Sequence, residues 1–185
     1  MTNTYSKEIR STVTSDGVIE ITIGKVDVPI PADDEVLVEI HAAPINPSDI
    51  GLLTTFAGDL SNIDISGSGE DLVASMKIHP ALMSSMKSRL DQSMTVGNEG
   101  AGIVIDAGEN AKKLIGKTVG FAAGSMYSQY RCVPAINCLV MEEGTTPRVA
   151  ASSFVNPLTA LCFVETMKME NHSAIVHTAA ASNLG

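Results

Sequence analysis

Apolar and polar residues alternate along much of the first half of the chain. Residues 18–23 (Val18, Ile19, Glu20, Ile21, Thr22, Ile23) and residues 35–40, where Val36, Val38 and Ile40 share a face, predict two strands. Between them, residues 29–34 contain Pro29 and Pro31, which remove backbone donors and predict a loop. Residues 101–106 and 117–121 predict two further strands, separated by a link that contains Gly108 and Gly116. Residues 127–133 and 138–141 predict another pair, joined across residues 134–137. Many short, mostly antiparallel strands of this kind predict a small, partly open β-barrel.

Residues 54–94 break the rhythm. The SGSG stretch at residues 66–69 predicts a flexible turn. Pro80 then opens a predicted helix with Leu82, Met83, Met86 and Leu90 on one face, a stripe suited to core or flap packing. After Gly144 the period changes from strand to helix. Pro147 fits the first turn of a helix through Ser153, and a second helix is expected from Asn156 as N-cap and Pro157 to about Glu170, with Leu158, Leu161, Cys162 and Glu165 at helical spacing. The domain boundary is expected there, dividing residues 1–146 from residues 147–185. The apolar run Ala174, Ile175, Val176 predicts a buried parallel strand, followed by the small residues 179–182 and Gly185. Against the G-x-G-x-x-G pattern, Ala180 and Ser182 stand at the first two glycine positions and Gly185 keeps the third. Such a turn can seat a pyrophosphate at a helix N-terminus, and it can equally be close packing of small side chains.

The 185 residues suffice for one good core, and the aromatic share is low, with no Trp, three Tyr and four Phe, so that core must be aliphatic. A formal net charge of −9 disfavours nucleic acid and anionic membrane surfaces as partners, since both would be repelled. No apolar run approaches the ~20 residues of a membrane span, and no basic-then-apolar leader opens the sequence. Cys132, Cys138 and Cys162 form no CxxC pair, which suits reduced thiols and a cytoplasmic setting. His41, His79, His172 and His177 show no metal or triad spacing, and His177 is expected to be a satisfied core residue.

Two segments carry the chemistry: VLVEIHAAPINPSDI at residues 36–50 and VGNEGAGIV at residues 96–104. With GKTVG at residues 116–120, YSQY at 127–130 and AASSFVNPLTAL at 150–161, they resemble the medium-chain dehydrogenase/reductases, in particular the zinc-free quinone-reductase and enoyl-reductase branch. The resemblance implies a mixed β and α/β fold, a GroES-like partly open barrel followed by the truncated start of a Rossmann domain. It implies an NAD(P)H-dependent oxidoreductase, with NADPH as cofactor and NADH as the alternative. Hydride would pass to a quinone or enone. A homodimer is expected when the protein is complete, and the 185 residues alone are expected to be inactive.

In zinc-dependent members of that family the positions matching Asn46 and Asn98 are a cysteine and a histidine ligand. Carboxamides are poor zinc ligands beside thiolate or imidazole, so no zinc is expected. By the same resemblance Asn46 would orient the nicotinamide and Thr159 would hydrogen-bond its amide, with Ala180, Ser182 and Gly185 at the pyrophosphate turn. On spacing alone, Asn46 before Pro47 reads as a helix cap. Asp49 and Glu99 are expected to hold the loops of the cleft. The tyrosine proton donor of some zinc-free relatives has no match at residues 50–56; Thr54 or Thr55 through water is a candidate here, and so are the nearby phenols Tyr127 and Tyr130, which equally read as surface strand residues. The competing reading is a stand-alone GroES-like binding module without catalysis.

Overall fold

The structure, a computed structural model, describes residues 5–55, 57–182 and 184. Two hairpin-linked strands open it, β1 (Tyr5–Val13) and β2 (Val18–Asp27), paired antiparallel. β3 (Glu35–Ala42) leads through Asn46 into α1 (Pro47–Thr54), after which come β4 (Asp64–Ser66), β5 (Val73–Lys77) and a 3-10 segment, Pro80–Arg89. The chain continues with β6 (Ser93–Thr95), β7 (Glu99–Ala107), β8 (Thr118–Ala122), β9 (Tyr130–Pro134) and β10 (Leu139–Val140), then α2 (Pro147–Ala150) and α3 (Val155–Met169).

The strands form two five-stranded antiparallel sheets, in the orders β4-β5-β2-β1-β6 and β10-β8-β7-β3-β9. The segment before β9 stitches them together. Ile9 N–H donates to the Tyr127 carbonyl at 2.8 Å, Gln129 N–H to Lys7 at 2.9 Å, and Ile40 N–H to Gln129 at 2.8 Å. These bonds give the two sheets a common corner without closing them into one ladder, which is the partly open barrel expected from the alternation. The principal core lies on the second sheet, where Val36, Val38, Val104, Val119, Phe121, Met126 and Val133 are buried. Leu37 is buried too, so β3, which sits between β7 and β9, has buried residues on both of its faces.

Several elements differ from the sequence expectation. β1 has no counterpart among the predicted strands, since its burial pattern lacks clean alternation. The stretch of residues 54–94 contains three short strands besides its turn. The helix after Pro80 is 3-10 rather than α, and that geometry explains its packing. With three residues per turn, Met83 and Met86 fall on one side and, with Leu90, cover the core of Val13, Ile19, Met76 and Ile78, while Leu82 is left 40% exposed. The predicted strand at residues 127–133 begins only at Tyr130, because residues 127–129 are occupied in joining the two sheets.

The C-terminal part departs most. α2 stops at Ala150, whose side chain packs with Ala151 and Ala101 against β7. α3 starts at Val155 with Phe154, not Asn156, as N-cap, and none of its residues is buried. Residues 174–176 form no strand; Ile175 is 45% and Val176 90% exposed. A parallel strand needs neighbours to take its backbone groups, and no described strand lies beside this one. His177 is not a satisfied core histidine either: its ring meets Phe163 at 5.8 Å and its buried Nδ1 has no hydrogen-bond partner.

Candidate active site

Asn46 sits where β3 has ended and α1 begins. Its extended backbone (φ −88°, ψ 158°) is the N-cap geometry, and Pro47 presets the first helical φ. The helix-cap reading of the sequence is therefore met at this position. What the cap holds goes beyond it. Asp49, fully buried, accepts from Asn46 N–H through Oδ2 and from Asn98 N–H through Oδ1, each at 2.8 Å. One carboxylate thus fastens the first turn of α1 to the turn that precedes β7, and backbone donors satisfy both of its oxygens.

A second buried carboxylate lies beside it. Glu99 is 1% exposed and accepts from Asn46 Nδ2 at 2.9 Å through Oε1 and from the Val155 N–H at 2.7 Å through Oε2. Val155 is the first residue of α3, whose unsatisfied N–H groups and dipole favour a negative charge there. Asn98, the other amide of interest, points its Nδ2 at Ser48 Oγ, 2.9 Å away on the surface. α1, the turn at residues 97–98, the start of β7 and the start of α3 therefore converge on Asn46. Asp49 and Glu99 hold loops together, as the sequence suggested.

Tyr127 borders the same corner. Its hydroxyl donates to the Pro44 carbonyl at 3.0 Å. Burial, and then the nearby Asp49 carboxylate, push the phenol up to about 12. Because the folded value lies above an ordinary phenol's, the stabilisation is complete below about pH 10 and is lost as pH rises through about 12. An ultraviolet pH titration of the native protein is expected to show one phenol ionising near pH 12, and Tyr127→Phe to abolish that late step. Persistence of the step in the variant would contradict the assignment.

The other residues singled out by sequence are placed as follows. Thr54 is buried at the end of α1 and its hydroxyl donates to the Ile50 carbonyl at 2.9 Å. Thr159 Oγ1 donates to Val155, one turn back in α3, at 2.7 Å. Ala180 and Ser182 lie in an exposed turn where Ser182 N–H donates to Ala179 at 2.9 Å, and Gly185 lies outside the described residues. Asn46, Asp49, Glu99 and Asn98 are brought into one hydrogen-bonded group, with Tyr127 at its edge, whereas Thr54, Thr159 and the terminal turn make only local bonds. The sequence named Glu99 but did not reveal that its second oxygen reaches the Val155 N–H, because a backbone donor leaves no signature in residue type.

Two clefts flank the end of β3. One, about 460 Å³, is walled by Ile9, Ile23, Ile40, Ile45, Met126 and Tyr127. The other, about 390 Å³, lies between His41–Pro44 and Arg148, Ala151 and Ser152. Among the described residues no group of three or more His, Cys, Asp or Glu side chains is placed to hold a metal ion. No helix among them is long and apolar enough to cross a membrane.

The two sheets, the connecting corner and the capped helix after β3 define a GroES-like domain. Residues 32–173 match the alcohol dehydrogenase GroES-like domain family, and the chain belongs to that family, as the resemblance to the medium-chain dehydrogenase/reductases implied. Among solved structures, a candidate NADPH:quinone reductase of Mesorhizobium loti is 25% identical with a TM-score of 0.66, over 100% of this chain and 50% of that one. The quinone oxidoreductase of Escherichia coli, in complex with NADPH, is 18% identical (TM-score 0.56; 91% of this chain, 41% of that one), and that of Coxiella burnetii 20% identical (0.59; 89% and 45%). The chain spans half or less of the length of these structures. No curated protein matches the sequence.

Proposed function

We propose that the chain is the barrel part, residues 1–146, and the beginning of the cofactor part, residues 147–185, of a zinc-independent NAD(P)H-dependent oxidoreductase that reduces quinones or activated alkenes. The observation that carries this reading is the buried Asn46 at the junction of β3, α1 and α3, its side-chain amide held by Glu99 and its backbone N–H by Asp49. The same fold in solved structures described as quinone reductases, one of them with NADPH, supports it.

The donor set at Asn46 does not suit a catalytic zinc. Its amide nitrogen faces a carboxylate and has no lone pair to offer a metal, and Asn98 is spent on Ser48. A nicotinamide cofactor would supply hydride. For it, Asn46 offers a fixed carboxamide and Thr159 a hydroxyl oxygen that can still accept, since its proton is given to Val155. The turn containing Ala180 and Ser182 would lie toward the pyrophosphate. Without a metal, an acceptor that spreads incoming charge over several atoms makes the smaller demand on the protein, which favours quinones and enones over simple ketones. Thr54 donates its own proton to Ile50, so it would act by accepting from water, and a phenol ionising near pH 12 is a poor acid at neutral pH. The protons of a reduced quinone would then come from solvent.

NADPH oxidation by the product of the complete reading frame, measured against a panel of quinones, enones and ketones, tests the proposal. Quinone or enone turnover well above ketone turnover is expected, and the reverse order would sink it. A second reading, a non-catalytic binding module, is favoured by one observation: α3 buries none of its residues, and Leu158 (46%), Leu161 (56%) and Val176 (90%) are exposed. Saturable NADPH binding would exclude it.

A further inference from the structure

Glu99 does two things at once with one buried side chain. Oε1 accepts from the Asn46 carboxamide and Oε2 from the first N–H of α3. A carboxylate offers only acceptors, so the atom of Asn46 that faces it must be the amide nitrogen; chemistry fixes an orientation that shape alone leaves open. At the start of α1 the backbone of the same residue is fixed by Asp49: Asn46 N–H donates to Asp49 Oδ2 at 2.8 Å, and Asp49 N–H donates to the Asn46 carbonyl at 2.9 Å. We infer that Glu99 is a positioning residue that sets which face the Asn46 carboxamide turns to the cleft and ties that choice to the seating of the α3 N-terminus. One N–H of the amide is then committed to Glu99 and the second is left to donate. The consequence for cofactor binding rests on the reading of Asn46 proposed above, whereas the coupling itself does not.

Shape is not what the arrangement needs, and the isostere shows why. Glutamine fills the same volume but has one acceptor and one donor group where glutamate has two acceptors. In Glu99→Gln, either Asn46 or Val155 must face an N–H instead of an oxygen. As they stand the two contacts cannot both survive: either Val155 loses its acceptor, or the Asn46 carboxamide turns over so that Oδ1 accepts from the new amide and its N–H loses Glu99. Aspartate at position 46 repairs the mismatch: its oxygen accepts from the new amide while the glutamine oxygen keeps Val155.

Hydrogen exchange by NMR on the full, isotope-labelled chain reads both contacts. In the wild type the Asn46 side-chain N–H and the Val155 backbone N–H are expected to be protected. In Glu99→Gln one of the two should exchange at least about 10-fold faster, as loss of a charge-assisted bond predicts, while the other persists. In the double variant Asn46→Asp/Glu99→Gln, the Val155 N–H and the side-chain amide introduced at position 99 should both be protected. Unchanged protection of both sites in Glu99→Gln, or no recovery in the double variant, overturns the inference. NADPH titrated into the product of the complete reading frame, with and without Glu99→Gln, separates the two ideas. Weaker binding by Glu99→Gln supports the cofactor role of Asn46, whereas lost protection with unaltered NADPH affinity overturns that role and leaves the coupling standing.

Discussion

Replacing Asp49 with alanine is expected to destabilise the fold by about 3 kcal/mol, because two inward-facing backbone donors lose their acceptor together. Asp49 is fully buried and receives the N–H groups of Asn46 and Asn98, which belong to segments about 50 residues apart in sequence. Alanine leaves both donors behind with no group to replace the carboxylate. In urea the midpoint should fall by about 1–2 M at unchanged slope, as for a small domain with an m-value of about 2 kcal/mol/M. Asp49→Asn should fall between, since one oxygen survives while the new NH2 confronts the other donor. Ser48→Ala is the comparison that isolates burial: it removes the surface bond from Asn98 Nδ2 and should change stability by less than about 0.5 kcal/mol. Equal effects at Asp49 and Ser48 would show that the carboxylate does not join these segments.

Gly97→Ala is the second large effect, and it arises from backbone geometry. Gly97 has φ +96°, and a Cβ there would stand 2.7 Å from the Tyr127 backbone nitrogen and 3.0 Å from that of Met126. Neither neighbour can swing away as a side-chain tip could, because Tyr127 N–H donates to Val96 and Met126 N–H to Gly97. A cost of about 2–3 kcal/mol is expected from strain and displaced hydrogen bonds combined. Gly124 separates the two contributions. It has φ +69° with nothing within 4 Å of a built Cβ, so Gly124→Ala should cost about 1 kcal/mol, the left-handed penalty alone. The same Gly97 variant should loosen the Asn98 N–H from Asp49, which amide exchange at Asn98 would register. Thermal or urea midpoints that match for the two glycine variants would contradict the close-approach argument.

The second sheet is legible in the sequence because its strands are short apolar runs bounded by glycine and proline turns, although β7 and β8 bury consecutive residues rather than alternate ones. β1 is not, since much of its length is half-buried and pairing with β2 and β6, not amphipathicity, holds it in place. The 3-10 segment reads as α because Met83 and Met86, three residues apart, satisfy either period over so short a stretch, while Leu90 lies just beyond its end. α3 is legible as a helix, but its cap moves from Asn156 to Phe154: local capping preference loses to the carboxylate of Glu99, which reaches the Val155 N–H from a remote strand. The strand expected at residues 174–176 shows the opposite limit. An apolar run states what a segment could bury, and pairing still depends on strands to receive it.

The same division runs through the site. Asn46, Asp49 and Glu99 are identifiable as residue types in two motifs, and the cap at Asn46 follows from Asn-Pro. The direction of each hydrogen bond is not, because it depends on which backbone N–H groups three separate segments bring within 3 Å of two carboxylates.

Metal dependence of hydride transfer tests the account most directly. NADPH oxidation with a quinone acceptor, by the product of the complete reading frame, is to be followed before and after exhaustive chelation of divalent cations. The rate is expected to persist unchanged, with zinc addition giving no gain. Loss of turnover on chelation with recovery on zinc addition would contradict the proposal that hydride transfer here needs no metal.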